Sequence, residues 1–309
     1  MTMLATEKRL LVAGDIMLDR YWFGDVNRIS PEAPVPVVRI SRKEDRLGGA
    51  ANVAVNAAAL GARVGLIGVV GDDEAAGTID ELLTQKQIDA KLSRDSSIST
   101  IIKLRVIGRQ QQLVRIDFEE PPSESVLQTK LSAYNAEVAN ADLIILSDYA
   151  KGGLTNVRDM ISVAREAGRP VLVDPKGLDF ARYTGATMLT PNKSELRQVI
   201  GDWRSEAELT EKAQNLRTSL NLGGILLTRS EEGMSLFTED VILHIPAMAR
   251  EVYDVSGAGD TVIATLAVML MNGKSLPESV MIANRAGGIV VGKLGTATVS
   301  REELFASHT

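Results

Sequence analysis

The sequence predicts an α/β fold: a doubly wound, mostly parallel sheet flanked by helices, with a small β-sheet lid. Three observations predict it. Short apolar runs alternate with helical segments along the chain, the rhythm of a parallel sheet covered on both faces. Several of those runs stop at a polar residue, namely Asp15, Asp148, Asp174, Asn192 or Ser230, and in such sheets ligands bind beyond the carboxyl ends of the strands. Two stretches, 21–40 and 99–118, break the rhythm with alternating or β-branched residues, as in Val35, Val37 and Val38.

Taken in order, residues 9–14 (RLLVAG) read as a buried strand that stops at Gly-Asp. Residues 50–60 are Ala-rich and helical, and 64–70 form a second buried strand. Residues 73–87 have helical spacing, with Ile79, Leu82 and Leu83 on one side. The runs 143–147 (LIILS), 171–174 (VLVD), 188–190 and 225–228 (ILLT) are further short strands, mostly separated by helical segments. Residues 261–271 are the most apolar helix, too short to span a bilayer and better read as a core helix. The irregular stretches, roughly 18–40 and 98–118, read as antiparallel strands inserted into the α/β body, a lid able to shut water out of a site. Two ordinary edge hairpins are the alternative. No repeat or flexible linker interrupts the chain, so 1–309 reads as a single domain.

Composition excludes several chemistries. The 309 residues are 45% hydrophobic and 24% charged, enough for a sizeable core. A net charge of −6 argues against nucleic acid or an anionic membrane as the main partner. With no cysteine, disulfides, thiolate catalysis and Cys-ligated zinc are absent. Only His244, in an apolar strand-like run, and His308, in the C-terminal tail, are available as imidazoles, which disfavours a Ser-His-Asp triad. The N-terminus lacks the apolar stretch of a secretion signal, so the expected location is the cytoplasm.

The strongest local signal is Asp254-Val255-Ser256-Gly257-Ala258-Gly259-Asp260, directly before the apolar helix. Its glycines let the backbone approach a ligand, and the unpaired N–H groups of a helix start make an anion site. A carboxylate there, Asp260, can take the proton of an alcohol attacking a phosphoryl group while the amides stabilise charge on the transferred oxygens. The plainer role for Asp260 is to complement the helix dipole. Gly48 and Gly49 also precede a helix, with Asn52 and Asn56 four apart on one face, placed to bond sugar hydroxyls or simply to pack. In Asn192-Lys193-Ser194-Glu195, after a strand and a proline, Asn and Glu lie at i and i+3. That spacing suits water-mediated holding of Mg²⁺ or a helix cap. Gly287 to Leu294 imitates a P-loop, but Leu294 replaces the metal-binding Ser/Thr and the run is helix-like. Gly14-Asp15-Ile16 lacks the glycine pattern of a dinucleotide fold.

Gly48 to Ala54 and Asp254 to Asp260, in this order and some two hundred residues apart, resemble the two signatures of the ribokinase (PfkB) family of carbohydrate kinases. The resemblance covers essentially the whole chain. The runs beginning Gly14-Asp15-Ile16, Arg28-Ile29-Ser30-Pro31, Ser147-Asp148-Tyr149-Ala150-Lys151-Gly152 and Asp174-Pro175-Lys176 are similar to the heptose 7-phosphate kinases within it. The resemblance implies a ribokinase-like fold and transfer of the ATP γ-phosphoryl group to the anomeric hydroxyl of the sugar phosphate. It implies Asp260 as base, with the Gly257, Ala258 and Gly259 amides as anion hole. It further implies Asn192 and Glu195 at Mg²⁺, Thr228 and Ser230 at the nucleotide, and residues 258–292 flanking adenine. Asp15, Asp19, Gly48, Gly49, Asn52 and Asn56 fall at the sugar. A monovalent cation is a further cofactor the resemblance admits, and a homodimer through the lid strands is the expected assembly.

A distal phosphate demands cations, for which Arg105, Arg109, Arg115, Lys151 and Lys176 are candidates, with Lys151, Lys176 and Arg109 preferred. Relatives in many bacteria carry a C-terminal adenylyltransferase domain. Here no His-x-Gly-His motif occurs and the sequence stops soon after the last kinase helix, so the kinase step alone is expected. The competing expectations are a kinase of another sugar or sugar phosphate, such as fructose 1-phosphate or tagatose 6-phosphate, and a sensor of the same fold without turnover.

Overall fold

In the computed structural model, residues 8–109, 111–248 and 252–306 are described, so His308 lies outside the described residues. The strands are β1 (Arg9–Gly14), β2 (Ile16–Ile29), β3 (Pro36–Gly49), β4 (Arg63–Gly71), β5 (Asp89–Asp95), β6 (Ile102–Gly108), β7 (Gln111–Phe118), β8 (Leu143–Ser147), β9 (Val171–Asp174), β10 (Met188–Leu189), β11 (Gly224–Thr228), β12 (Met234–Thr238) and β13 (Ile242–Ile245). The helices are α1 (Ala50–Ala59), α2 (Glu74–Gln85), α3 (Glu124–Val138), α4 (Val157–Glu166), α5 (Lys193–Ile200), α6 (Glu206–Ser219), α7 (Ala258–Met271), α8 (Leu276–Val290) and α9 (Arg301–Phe305).

Nine strands form the main sheet in the order β13-β12-β11-β10-β9-β8-β1-β4-β5. Neighbours from β5 to β11 are parallel, while β12 and β13 close one edge antiparallel. The strand faces divide with period two. Leu10 and Val12 of β1 join one apolar cluster with α1, α7 and α8, whereas Leu11 and Ala13 join the other with α3, α4 and α6. Burial on both faces is why these strands read as continuous apolar runs.

From β1 the chain builds outward to β4 and β5, then returns to β8 on the other flank of β1. The order reverses at β1 and β8, and a crevice opens beyond the carboxyl ends of strands at such a point. Asp15 and the loop 148–153 sit there, tied by the Asp15 amide donating to the Ser147 carbonyl at 3.2 Å.

The two irregular stretches form a separate four-stranded sheet, β3-β2-β6-β7, and not edge hairpins of the main one. Two details depart from the expected lid. β3 runs on to Gly49 and delivers the chain straight into α1. β2 and β6 pair parallel, although both flanking pairs are antiparallel, because each enters the lid from the same side of the body. The edge strand β5 carries a weaker apolar pattern and does not stand out in the sequence, whereas β13 at the other edge is the apolar run that holds His244.

Candidate active site

Gly257 stands at the N-cap of α7 with φ 75°, a left-handed conformation that costs a glycine little. That twist brings Asp260 into the first turn, where its side chain is buried at 2% exposure. Both of its oxygens are held. The Asn52 amide donates to Oδ2 at 2.7 Å and the Tyr149 hydroxyl donates to Oδ1 at 2.7 Å. Burial pushes the Asp260 carboxyl up to about 6, while these two hydrogen bonds oppose the rise and Asp19 adds to it. Asn52 is locked from behind: the Asn56 amide donates to its carbonyl and side-chain oxygen, and the Thr261 hydroxyl donates to Asn56 Oδ1.

Asp15 does not face the crevice as a free acceptor. Its carboxylate accepts the backbone N–H groups of Tyr149, Lys151 and Gly153, at 2.9, 3.0 and 2.8 Å. It therefore shapes the loop that carries Tyr149. Lys130 of α3, wholly buried, donates to the Gly153 carbonyl from behind, and burial lowers its pKa to about 8. No sequence signal marks this lysine, which looks like any helix-surface charge.

Asp19, also buried, pairs with Arg105 of β6 at 2.5 Å, and the Arg105 guanidinium lies over the Tyr21 ring. Gly48 packs beside them, since an added Cβ would stand 2.6 Å from Asp19 Oδ2. Gly49, at φ 58°, turns the end of β3 into α1. Lys103 and Lys151 share Glu119 at 3.4 and 2.7 Å, on the same inner side of the lid.

A cavity of about 450 Å³ extends from Asp260 along the strand ends. Gly257, Ala258 and Gly259 form one wall, Asp148, Tyr149, Asp174, Lys176, Asn192 and Glu195 another. Thr228 and Ser230 lie farther along, followed by an apolar end with Met234, Met248, Val255, Gly287, Gly288 and Val291. The P-loop imitation thus lines the cavity with the carboxyl end of α8, and not as a phosphate-cradling loop. Asn192 and Glu195 make a full capping box on α5, each side chain bonding the other's amide, and Glu195 Oε1 accepts from Lys176 at 2.7 Å. Burial, reinforced by Asp260 and Glu195, holds the Asp174 carboxyl well above the usual carboxylate range.

Of the predicted site residues, the structure therefore brings Asp260, the 257–259 turn, Asn52, Asn56, Asp19, Gly48 and Gly49 to one end of the crevice. Asn192, Glu195, Thr228, Ser230 and Lys176 fall at the other. Lys176, expected at the distal phosphate, lies at the Glu195 end. Arg109 is not brought in at all. It sits exposed at the β6–β7 turn and donates to the Val26 carbonyl at 2.7 Å, because a hairpin tip points away from the body. Arg115 is likewise on exposed β7, paired with Asp117. Tyr149 falls within the run 147–152, where no spacing or motif marks it for a role.

A model of the pfkB family carbohydrate kinases matches residues 7–303. The chain belongs to that family. A D-beta-D-heptose 7-phosphate kinase of Bordetella bronchiseptica is 56% identical over 301 residues, covering 97% of this chain and 96% of that protein. The bifunctional protein HldE of Methylococcus capsulatus is 53% identical across 96% of this PfkB chain, which spans 63% of the HldE length. Among solved structures, Arabidopsis thaliana ribokinase complexed with ribose and ATP aligns at a TM-score of 0.74 and 20% identity, covering 96% of this chain and 97% of that one. Escherichia coli phosphofructokinase-2 in complex with potassium aligns at 0.79 and 18%, covering 96% of each. At such identities these neighbours establish the ribokinase-like fold.

Proposed function

We propose that this PfkB carbohydrate kinase transfers the γ-phosphoryl group of ATP to the anomeric (C1) hydroxyl of D-glycero-D-manno-heptose 7-phosphate. The product, heptose 1,7-bisphosphate, is a precursor on the route to ADP-heptose and the lipopolysaccharide core. The observation that carries the reaction is Asp260, ionisable near neutrality and fixed by two neutral donors at the mouth of a helix-start anion site. The choice of sugar is supported by 56% identity to the Bordetella kinase along nearly the whole of both chains.

Asp260 accepts the hydroxyl proton as the sugar oxygen bonds to the γ-phosphorus, and the bond to the β–γ bridging oxygen breaks to release ADP. The amides of 257–259 donate to the oxygens of the group in transit. Thr228 and Ser230 serve the nucleotide, and the apolar end of the cavity suits adenine. Among the described residues no three His, Cys, Asp or Glu side chains gather as a metal cage. The donor set fits Mg²⁺ that is carried on ATP phosphates and reached by Glu195 and Asn192 through water. Bound there, the ion would neutralise phosphate charge. Activation by a monovalent cation belongs to the same proposal, tested by replacing K⁺ with a tetraalkylammonium ion.

Asp19, Asn52 and the Gly48–Gly49 backbone would take the sugar, and Arg105, Lys103 and Lys151 its distal phosphate, on the inner side of the lid. The exposed β7, with Leu113, Val114, Ile116 and Phe118 uncovered, supports a homodimer through the lid. No helix among the described residues is long and apolar enough to cross a membrane, and with ATP as donor we place the enzyme in the cytoplasm. The test is ADP release with Mg-ATP and heptose 7-phosphate, sedoheptulose 7-phosphate, fructose 6-phosphate, fructose 1-phosphate or ribose. Strong preference for the heptose supports the proposal; preference for another sugar removes the pathway, and silence on all five removes the kinase.

A further inference from the structure

We infer that Tyr149 is a positioning residue for the reaction, a hydroxyl clamp that holds Asp260 ionised and aimed, and that Asp15 and Lys130 exist to hold that clamp. The inference rests on the reading of Asp260 as general base.

The geometry is a relay. Asp15 gathers three backbone N–H groups of the loop 149–153, two of them flanking Ala150, whose φ of 56° is costly for a residue with a side chain. Lys130 fixes the other end of the same loop through the Gly153 carbonyl. A buried lysine beside two buried acids, Asp15 and Asp148, is an expensive arrangement. Asp148 is engaged as well: its carboxylate accepts the Ala150 amide at 2.7 Å and the Tyr183 hydroxyl at 2.8 Å. Asp15, Lys130 and Asp148 each bond the backbone of the loop, and the loop side chain directed at the reacting end is Tyr149, whose hydroxyl meets Asp260 Oδ1.

Asp260 needs that donor. It is buried, and the charged groups facing it are acids: Asp19 from β2 and Asp174 from the end of β9. Its two hydrogen-bond partners, Asn52 from α1 and Tyr149 from the β8 loop, are neutral donors. Without them, burial and like charge favour the protonated form, which cannot accept a proton. A phenol that donates without carrying charge leaves the carboxylate anionic, and one lone pair of Oδ1 stays open to the sugar hydroxyl. The phenol itself stays protonated, because burial and Asp260 push its own pKa well above the ordinary value.

The test is the pH profile of Tyr149→Phe, with melting temperature and ATP affinity as checks of folding. Loss of one donor to the carboxylate should move the acid limb of kcat/KM up by about one pH unit. That shift lowers activity about tenfold at pH 5 and about twofold at pH 7, the deficit vanishing toward pH 9 as Asp260 ionises regardless. In an Asp260→Asn background the same change should cost nothing more. If the Phe variant folds poorly, a fluorotyrosine at 149, a more acidic donor, should shift the limb the opposite way, downward. An unmoved acid limb with kcat within twofold of the parent at pH 5 would overturn the inference, as would a tenfold loss that persists in the Asp260→Asn background. Asp260→Asn turning over like the parent would instead overturn the base assignment beneath it.

Discussion

The Asn52 amide reaches Asp260 Oδ2 at 2.7 Å across 208 positions of chain. Asn52 is on the first turn of α1, directly after β3, and Asp260 is on the first turn of α7. The contact joins the two family signatures into one site. Removing the donor with Asn52→Leu leaves a buried carboxylate with one clamp, and kcat should fall by about tenfold or more, since hydrogen bonds to charged groups are worth roughly 1.5–3 kcal/mol. Steady-state kinetics with both substrates checks it; unchanged kcat with raised sugar KM would make Asn52 a binding group only.

Burial of Asp260 is also a stability matter. Its folded pKa, about 6, exceeds its ordinary value of 3.8. The group therefore contributes stability that is fully present below pH 4 and lost as pH rises through 6. The loss by pH 7 is up to roughly 3 kcal/mol at 1.36 kcal/mol per unit. Asp260→Asn, which is never charged, should melt higher than the parent at pH 7–8, with the gain vanishing toward pH 4. Equal melting temperatures across that range would mean the carboxylate is better solvated than its burial implies.

Much of the fold was legible because the central strands are buried on both faces and read as apolar runs. The turn 254–260 stood out because two acids bracket Gly257-Ala258-Gly259 directly before an apolar helix. What escaped depended on partners distant in sequence. Asp15 looked like a strand-end ligand group, yet its carboxylate is consumed by three amides of a loop 134–138 residues away. Arg105 and Arg109 are four apart and share the parity of a strand, and only the register that ends β6 at Gly108, opposite Gly24, decides that Arg105 faces Asp19 while Arg109 is spent on a hairpin tip.

That register yields a pair of contrasting substitutions. Arg105→Met should raise the KM for the sugar phosphate about 10- to 100-fold, with the KM for ATP near its parent value, because charge-assisted bonds to phosphate are among the strong ones. Arg109→Met should change neither by more than about twofold, as for a surface charge. Equal effects of the two would place the distal phosphate elsewhere.

The outer lid strand β7 is exposed along its whole length, with Ile116 at 42% and Phe118 at 47%. Ile116→Asp should shift a dimer to monomer in light-scattering chromatography while the monomer keeps its fold by circular dichroism. A parent that already elutes as a monomer would remove the lid interface.

Turnover of Asp260→Asn with saturating Mg-ATP and heptose 7-phosphate tests the central claim most directly. Loss of roughly two to four decades in kcat is predicted, the range for removing a general base, with ATP affinity nearly unchanged. Turnover within about threefold of the parent would contradict the account.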